Sequence, residues 1–314
     1  MKKIAGLGLA ALLAVLSLNA AAQSWPQRPV KLILSLGPGS GADIGARLFA
    51  ERLSSRWGQP VVVENRPGGD GVVAINAVIS ARDDHTLLWG PTSTFVGHPY
   101  TLEKLPYDPK ELVPVARVTN TVVVIGVPAS LGVNSLKELF DRARQQPGKM
   151  NWASVVAVTD IIIEAYLKKA GLGMARIAYK NPVGAVTDLT EGRIQMYSAA
   201  YAIVRPHVQA GRVKLLAVQN RNRVPGLDLP TVSEIGFPEL NFDGLVGVIA
   251  ARSSGLSEAA RERIAADIKA VSADPVVAER LAATAQINNP GTGAEFAASI
   301  EEQAANMRAV TGKR

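Results

Sequence analysis

The chain of 314 residues is 47% hydrophobic and 19% charged with a net charge of +7, so it can build one large or two medium-sized domains. It contains no cysteine, which excludes disulfide bonds, thiol catalysis and cysteine metal sites. The basic residues form no dense run, and this spread argues against nucleic-acid binding.

The first 22 residues have the pattern of a signal peptide. Lys2 and Lys3 form a charged start, residues 4–18 are apolar without a charge, and residues 20–22 form a small-residue cleavage site. The apolar run is shorter than the roughly 20 residues that a membrane-spanning helix needs. The pattern predicts export, cleavage after Ala22 and a soluble mature chain.

Beyond this segment, apolar β-prone runs alternate with amphipathic stretches. Strands are predicted at residues 30–36, 61–64, 86–90, 122–127, 151–154, 177–179, 194–198 and 215–219. Helices are predicted at residues 42–57, 72–81, 135–146, 160–170, 184–191, 203–210, 257–273, 275–285 and 293–310. This alternation predicts an α/β fold with mostly parallel sheets.

No Gly/Ser-rich linker divides the chain, so two domains would be joined through strands. Crossings are predicted near residues 124–128 and 244–250. The domain hypothesis assigns residues 23–124 and 247–314 to lobe 1 and residues 125–246 to lobe 2. Short crossings of this kind suit a hinge.

The sharpest motif is residues 37–43 (GPGSGAD), between the first predicted strand and helix. Glycines let a ligand approach the backbone, and the N–H groups at a helix N-terminus attract anions. Ser40 and Asp43 also have the spacing of a capping pair, so a plain strand–helix turn is the alternative. The loop fits the dinucleotide pattern G-x-G-x-x-A, but Pro38 removes one N–H and Glu64 lies too late to bind a ribose, which disfavours a nucleotide.

Two other predicted strand ends carry hydroxyl groups. Thr92 and Ser93 follow one strand, and Ser154, Thr159 and Asp160 follow another. Because ligands bind at the carboxyl ends of strands in open α/β sheets, we expect these loops to converge on one cleft, although each could be an ordinary N-cap. An aspartate is unusual near an anion. Asp160 therefore either caps its helix facing away or meets a cationic group of the ligand.

Signals for catalysis are weak. His85, His98 and His207 have no metal-ligand spacing, and neither a G-x-S-x-G nor a P-loop motif occurs. We expect solvated or capping histidines and no catalytic residue, metal or cofactor. A secreted α/β hydrolase is the enzymatic alternative, and it would need a nucleophile–base pair that no spacing indicates.

From Trp25 to the C-terminus, several ordered blocks resemble the periplasmic binding proteins of tripartite tricarboxylate transporters, the Bordetella uptake gene family. The blocks are residues 25–31 (WPQRPVK), 37–44 (GPGSGADI), 61–68 (VVVENRPG), 104–109 (KLPYDP), 179–180 (YK) and 229–236 (LPTVSEIG). The resemblance implies a two-lobed, type II-like periplasmic binding fold with two hinge strands. It also implies a small organic acid held by main-chain N–H groups and ordered waters.

The resemblance further implies a set of ligand contacts and partners. By position the contacts are Leu36, Gly39, Ser40, Gly41, Ala42, Asp43, Thr92, Ser93, Ser154, Thr159, Asp160 and Ala199. The implied partners are a large and a small integral membrane subunit, with a sensor kinase as the alternative, and the receptor itself is expected to be a monomer.

The second-lobe residues depart from the family pattern. Residues 155–158 are apolar where the family often has glycines, Ile162 stands at the usual histidine position, and Ala199 stands at a common acidic position. These changes predict a more apolar wall, and they suggest a bulkier, aromatic carboxylate as the ligand. A binder that has drifted from the family's ligands is the alternative.

Overall fold

Strands and helices alternate through most of the computed structural model, which describes residues 25–154, 157–179 and 182–312. The predicted signal peptide and its cleavage site lie outside these residues, as do Val155, Val156 and Lys180. The strands are β1 Val30–Leu34, β2 Val61–Asn65, β3 Thr86–Pro91, β4 Leu112–Thr121, β5 Val123–Pro128, β6 Met150–Ser154, β7 Met174–Arg176, β8 Met196–Ala200, β9 Val213–Val218, β10 Gly244–Ala251 and β11 Gln286–Thr292. The helices are α1 Gly41–Trp57, α2 Val72–Ala81, α3 Ser93–Thr101, α4 Leu136–Gln145, α5 Ala157–Lys169, α6 Pro182–Thr190, α7 Tyr201–Gln209, α8 Glu258–Ser272, α9 Pro275–Ala283 and α10 Gly293–Thr311.

The first sheet has the strand order β11-β4-β10-β3-β1-β2. Strand β1 pairs in parallel with β2 and β3, whereas β10 runs antiparallel to both β3 and β4. Alternate residues of β1 serve two cores, because Leu32 and Leu34 pack with Phe49 on one face and Ile33 packs with Ile75 on the other. Both faces of the sheet are therefore covered, and its loops are left at the strand ends.

The second sheet has the strand order β7-β6-β8-β5-β9. Across the two sheets, four of the nine strand pairs are parallel, so the sheets are mixed and the expectation of mostly parallel sheets is wrong. The antiparallel pairs arise where the chain changes sheets. The chain enters the second sheet at β5, which runs antiparallel to β8 and β9. It re-enters the first sheet at β10, which runs antiparallel to β3 and β4.

The chain passes between the sheets at two segments of very different length. Only Val122 separates β4 from β5, and residues 219–243 lead from β9 to β10. The Val122 N–H donates to the Ala285 carbonyl oxygen at 3.0 Å, and the Asn220 amide bonds to backbone groups of Thr121 and Val123. Residues 124–128 and 244–250, which we expected to cross between lobes, are strands inside the sheets. The lobe limits at residues 124 and 246 stay a prediction.

Four local predictions differ from the structure. The strand that we predicted at residues 177–179 lies just before them, at Met174–Arg176. Helix α3 was not predicted, since Gly97 and Pro99 interrupt its pattern. Strands β4 and β11 were missed because both carry prolines and polar residues, which hide the alternation of a strand.

The C-terminal helix α10 packs on both lobes. Phe296 near its start is fully buried in the first-lobe core, and Met307 near its end lies in the second-lobe core at 1% exposure. A capping box of Thr292 and Glu295 fixes where the helix begins. The helix is therefore a further connection between the lobes besides the two crossings.

Candidate functional site

The predicted first loop joins β1 to α1 and is organised by a capping pair. The Ser40 hydroxyl caps α1 by accepting from the Asp43 N–H at 3.2 Å, and the Asp43 carboxylate accepts from the Gly39 N–H at 3.0 Å. Gly39 has a φ of +82°, a conformation that suits glycine. The capping interpretation of the motif is confirmed, and it shapes the loop without excluding a ligand.

Asp43 is held by several donors at 3% exposure. Its carboxylate accepts from Arg47 Nε at 3.1 Å and from Asn65 Nδ2 at 2.8 Å, and Asn65 also donates to the Leu36 carbonyl oxygen at 2.9 Å. Burial alone would raise the pKa of Asp43, but the hydrogen bonds from Arg47, Gly39 and Asn65 outweigh it and lower that pKa. The hydrogen-bond acceptors of the ionised Asp43 carboxylate are thus occupied by donors of the protein itself, and these bonds fix the conformation of the β1–α1 loop.

The first turn of α1 offers backbone donors beside this loop. The Asp43 and Ile44 N–H groups are bonded to Ser40, whereas the N–H groups of Gly41 and Ala42 stand at first-turn positions that have no intrahelical acceptor. The positive end of the helix dipole adds to their attraction for an anion. The arrangement fits one carboxylate group at the N-terminus of α1.

The end of β3 is tied into the first lobe. Thr92 is fully buried, its N–H donates to the Leu245 carbonyl oxygen at 2.9 Å, and its hydroxyl donates to Gln303 of α10 at 2.5 Å. Ser93 begins α3 at 8% exposure. The Thr92 hydroxyl is therefore used structurally, and a ligand would meet the start of α3 through Ser93 and its backbone.

The second-lobe residues form a polar cluster at the end of β6. The Ser154 hydroxyl donates to the Asp160 carboxylate at 2.6 Å, the Thr159 hydroxyl donates to Ser154 at 2.9 Å, and Arg176 of β7 forms an ion pair with Asp160. Asp160 therefore does not cap its helix facing away from the cluster. Its carboxylate already has a cationic partner, Arg176 of this chain. This pairing offsets the negative charge that made Asp160 unexpected in an anion site.

Two of the apolar departures face cores. Ala199 is fully buried in β8 opposite Val124, so it presents no surface to a ligand, and Ala200 is the residue at the strand end. Ile162 is 3% exposed and, with Val158, lines a cavity of about 260 Å³ between α5, α10 and the returning crossing. The predicted contact of Ala199 with the ligand therefore stays a prediction, and it would need a side chain that is fully buried here. Of the changes that suggested an aromatic ligand, Val155 and Val156 lie outside the described residues, and the aromatic ligand stays a prediction.

Two of the three histidines have structural partners, whereas the buried Nδ1 of His207 has no hydrogen-bond partner within the described residues. His98 is fully buried rather than solvated, with ring nitrogens 2.7 Å from the Tyr107 hydroxyl and 2.9 Å from the Asp70 carbonyl oxygen. His85 is 5% exposed and lies 2.7 Å from Asp84. The ligand atoms of Asp83, Asp84 and His85 lie within 4.8 Å of one another, but Arg28 pairs with both aspartates. The guanidinium of Arg28 thus already pairs with both carboxylates of the cluster.

Five residues around the candidate site had no role in the prediction. They are Arg47, Asn65, Arg176, Gln286 and Gln303. Asn65 lies in the block of residues 61–68, so the resemblance pointed to it without a role. Arg47 has the i,i+4 spacing of a helical ion pair with Asp43, a local signal that the prediction did not use. Arg176, Gln286 and Gln303 act through contacts between distant segments, which no local motif indicates.

Comparisons with known proteins agree with this geometry. Residues 45–311 match the family model described as tripartite tricarboxylate transporter family receptor. A UPF0065 protein of Bordetella bronchiseptica is 34% identical over 304 residues, covering 96% of this chain and 90% of that protein. A solved periplasmic transporter is 28% identical with a TM-score of 0.78, covering 92% of this chain and 98% of its own.

A second solved structure, Rpa4515 of R. palustris with adipate, is 25% identical with a TM-score of 0.78, covering 92% of this chain and 99% of its own. These likenesses confirm the resemblance and the two-lobed α/β binding fold. Among the described helices, none combines the length and the apolar character that a membrane span requires.

Proposed function

Since this chain belongs to the tripartite tricarboxylate transporter receptor family, we propose that it captures a small organic carboxylate in the periplasm for uptake. The observation that carries this proposal is the first turn of α1, where the N–H groups of Gly41 and Ala42 adjoin a loop whose acidic residue, Asp43, is already bonded internally. The adipate bound by the 25% identical Rpa4515 supports the same ligand class.

Binding in this proposal joins the two lobes. One carboxylate oxygen accepts from the N-terminus of α1, and the body of the ligand reaches the cluster of Ser154, Thr159 and Asp160 directly or through waters. A ligand that contacts both lobes binds the closed form more tightly than the open form, so it shifts the population towards closure. The closed receptor then delivers the ligand to integral membrane subunits.

Binding without chemistry is supported by the state of the histidines. His85 and His98 are bonded to Asp84 and Tyr107, and within the described residues no histidine bonds to a serine hydroxyl. A hydrolase would need such a base beside its nucleophile. Turnover of a carboxylic ester or amide by the pure protein would contradict the proposal.

Export is tested by N-terminal sequencing of the protein recovered from a periplasmic fraction. A mature chain beginning at Gln23 is expected. Recovery of the full-length chain in the cytoplasmic fraction would contradict export.

The ligand is tested by calorimetric titration with adipate, malate, benzoate and phenylacetate. Saturable binding of at least one acid is expected, together with a smaller radius of gyration in solution scattering when the lobes close. Failure of all four acids, and of any carboxylate found by mass spectrometry of the purified protein, would contradict the proposed function. Tighter binding of the two aromatic acids would support the aromatic ligand, and tighter binding of the aliphatic acids would contradict it.

A further inference from the structure

The return segment of the chain brings an amide group to the first loop. A Cβ atom added to Gly41 would lie 2.8 Å from Nε2 of Gln286 and 3.8 Å from the carbonyl oxygen of Thr284. The side chain of Gln286, the first residue of β11, therefore lies against the backbone of α1 at its first residue. A side chain at position 41 would have to displace this amide, whereas glycine leaves it in place.

One end of the Gln286 amide is fixed by β4. Oε1 accepts from the Thr119 hydroxyl at 3.1 Å and from the Thr121 hydroxyl at 3.3 Å, and Nε2 lies 3.1 Å from the Thr121 hydroxyl. The whole residue is 5% exposed. The two threonines thus set the orientation of the amide and direct its nitrogen towards Gly41.

The amide nitrogen has one donor left over. A primary amide carries two N–H groups, and in the described ranges 25–154, 157–179 and 182–312 only the Thr121 hydroxyl accepts from Nε2. A buried N–H without an acceptor is costly, so native structures usually satisfy it with a ligand or a water. The free N–H of Gln286 stands next to the unbonded backbone donors of Gly41 and Ala42.

We propose that Gln286 is a ligand-contacting residue that completes the carboxylate site at the N-terminus of α1. This inference rests on the proposed function. The Nε2 of Gln286 donates to the same carboxylate that accepts from the Gly41 and Ala42 N–H groups. Three neutral donors around one anion favour a carboxylate over the corresponding amide, whose NH₂ group would face a donor.

The same contact links the ligand to the crossing between the lobes. Thr121 is the last residue of β4, and Val122, which follows it, is the single residue before β5. The Val122 N–H is bonded to the carbonyl oxygen of Ala285, the residue before Gln286. A ligand held by Gln286 therefore restrains both segments of the chain that meet at this crossing, Thr121–Val122 and Ala285–Gln286.

The test compares Gln286→Leu and Gln286→Glu with Gln195→Leu as the matched control. Gln195 also bonds through both ends of its amide, to Asn151 and Gly192, but it precedes β8 at the end of the second sheet away from the cleft. The probes are adipate, malate, benzoate and phenylacetate with their amides. Melting temperatures show whether each variant folds.

We expect Gln286→Leu to weaken the Kd for the bound acid at least about tenfold, since a hydrogen bond to a charged group is lost. Gln286→Glu nearly preserves the shape and should weaken acid binding further, by about a hundredfold, while reducing the preference for the acid over its amide. Gln195→Leu should leave the Kd unchanged.

Three outcomes would overturn the inference. If wild-type protein binds an acid and both Gln286 variants bind it with unchanged Kd, Gln286 does not contact the ligand, and the proposed function survives. If both variants fold and lose affinity for acid and amide by the same factor, Gln286 acts only structurally. If wild-type protein binds none of the acids, the proposed function fails and this inference fails with it.

Discussion

Replacing Asp43 with alanine tests whether an internal ion network shapes the first loop. The substitution removes the acceptor of the Gly39 N–H, the Asn65 amide and the Arg47 guanidinium. Leaving two partly buried donors without an acceptor costs about 1–2 kcal/mol each. The Arg47 pair adds less than about 1 kcal/mol, because the Arg47 side chain is 53% exposed and solvent screens it. We expect a loss of about 3 kcal/mol in the free energy of unfolding.

This loss has a pH signature. The folded pKa of Asp43 lies below its usual value of 3.8. A depressed carboxyl pKa stabilises the folded state above the unfolded pKa, and that contribution disappears as the pH falls through the folded pKa. The difference in stability between wild type and Asp43→Ala should therefore be constant from about pH 5 to 8 and shrink below pH 3.8.

The assay is urea unfolding followed by circular dichroism, with Asp141→Ala as the control. Asp141 pairs with Lys137 and Arg144 on the surface of α4, where solvent screens the charges, so its loss should change the stability much less than the loss of Asp43. Calorimetry should show that Asp43→Ala also weakens the affinity for the acid by about tenfold or more, because the Gly39 N–H loses its hydrogen-bond acceptor and the loop its conformation. Equal stability losses in the two variants, or unchanged acid binding in Asp43→Ala, would refute the role of Asp43.

Further predictions concern three other positions. Arg176→Ala should weaken acid binding about tenfold by exposing the charge of Asp160, and adding Asp160→Asn should restore it; calorimetry that finds no restoration contradicts the pairing. Gly71→Ala should destabilise the protein by about 2 kcal/mol or more, since its Cβ would lie 2.2 Å from a threonine methyl group. The control Gly132→Ala, with open space around the new Cβ, should cost about 1 kcal/mol. Both costs are measured by thermal unfolding, and equal costs would argue against the clash. Met307→Ala should cost about 2–5 kcal/mol in urea unfolding although Met307 lies seven residues before the last residue, and a cost below about 1 kcal/mol would contradict its core position.

Local patterns predicted those parts of the fold that local physics determines. The helix of residues 42–57 and the strand of residues 61–64 follow from hydrophobic periodicity, and Ser40 followed from its capping preference. Strands β4 and β11 were hidden because their prolines and polar residues interrupt the alternation of a strand, and only pairing with distant segments makes them strands. The residues of the candidate site also fall into a part with a local pattern and a part that depends on tertiary contacts. The β1–α1 loop was recognisable from its glycines, whereas Arg176 and Gln286 reach the site only through tertiary contacts.

Burial and pairing also add to what position alone implied. Ala199 aligns with a residue that is often acidic in the family, but in this chain it is fully buried between strands. Asp160 looked unsuited to an anion site because its partner, Arg176, comes from a different strand. Sequence spacing indicates which residues follow a strand, and only packing shows which of them are free to bind.

Strand β10 has a consequence for the order in which the protein can fold. It lies between β3 and β4, and all of its residues from Gly244 to Ala251 are buried. The first sheet therefore stays split until most of the chain has emerged from the ribosome, and the second-lobe core waits for Met307. Contacts between such distant segments form slowly. The β1–β2 and β1–β3 pairs can form from nearby segments, whereas the junction between β3 and β4 has to wait for β10.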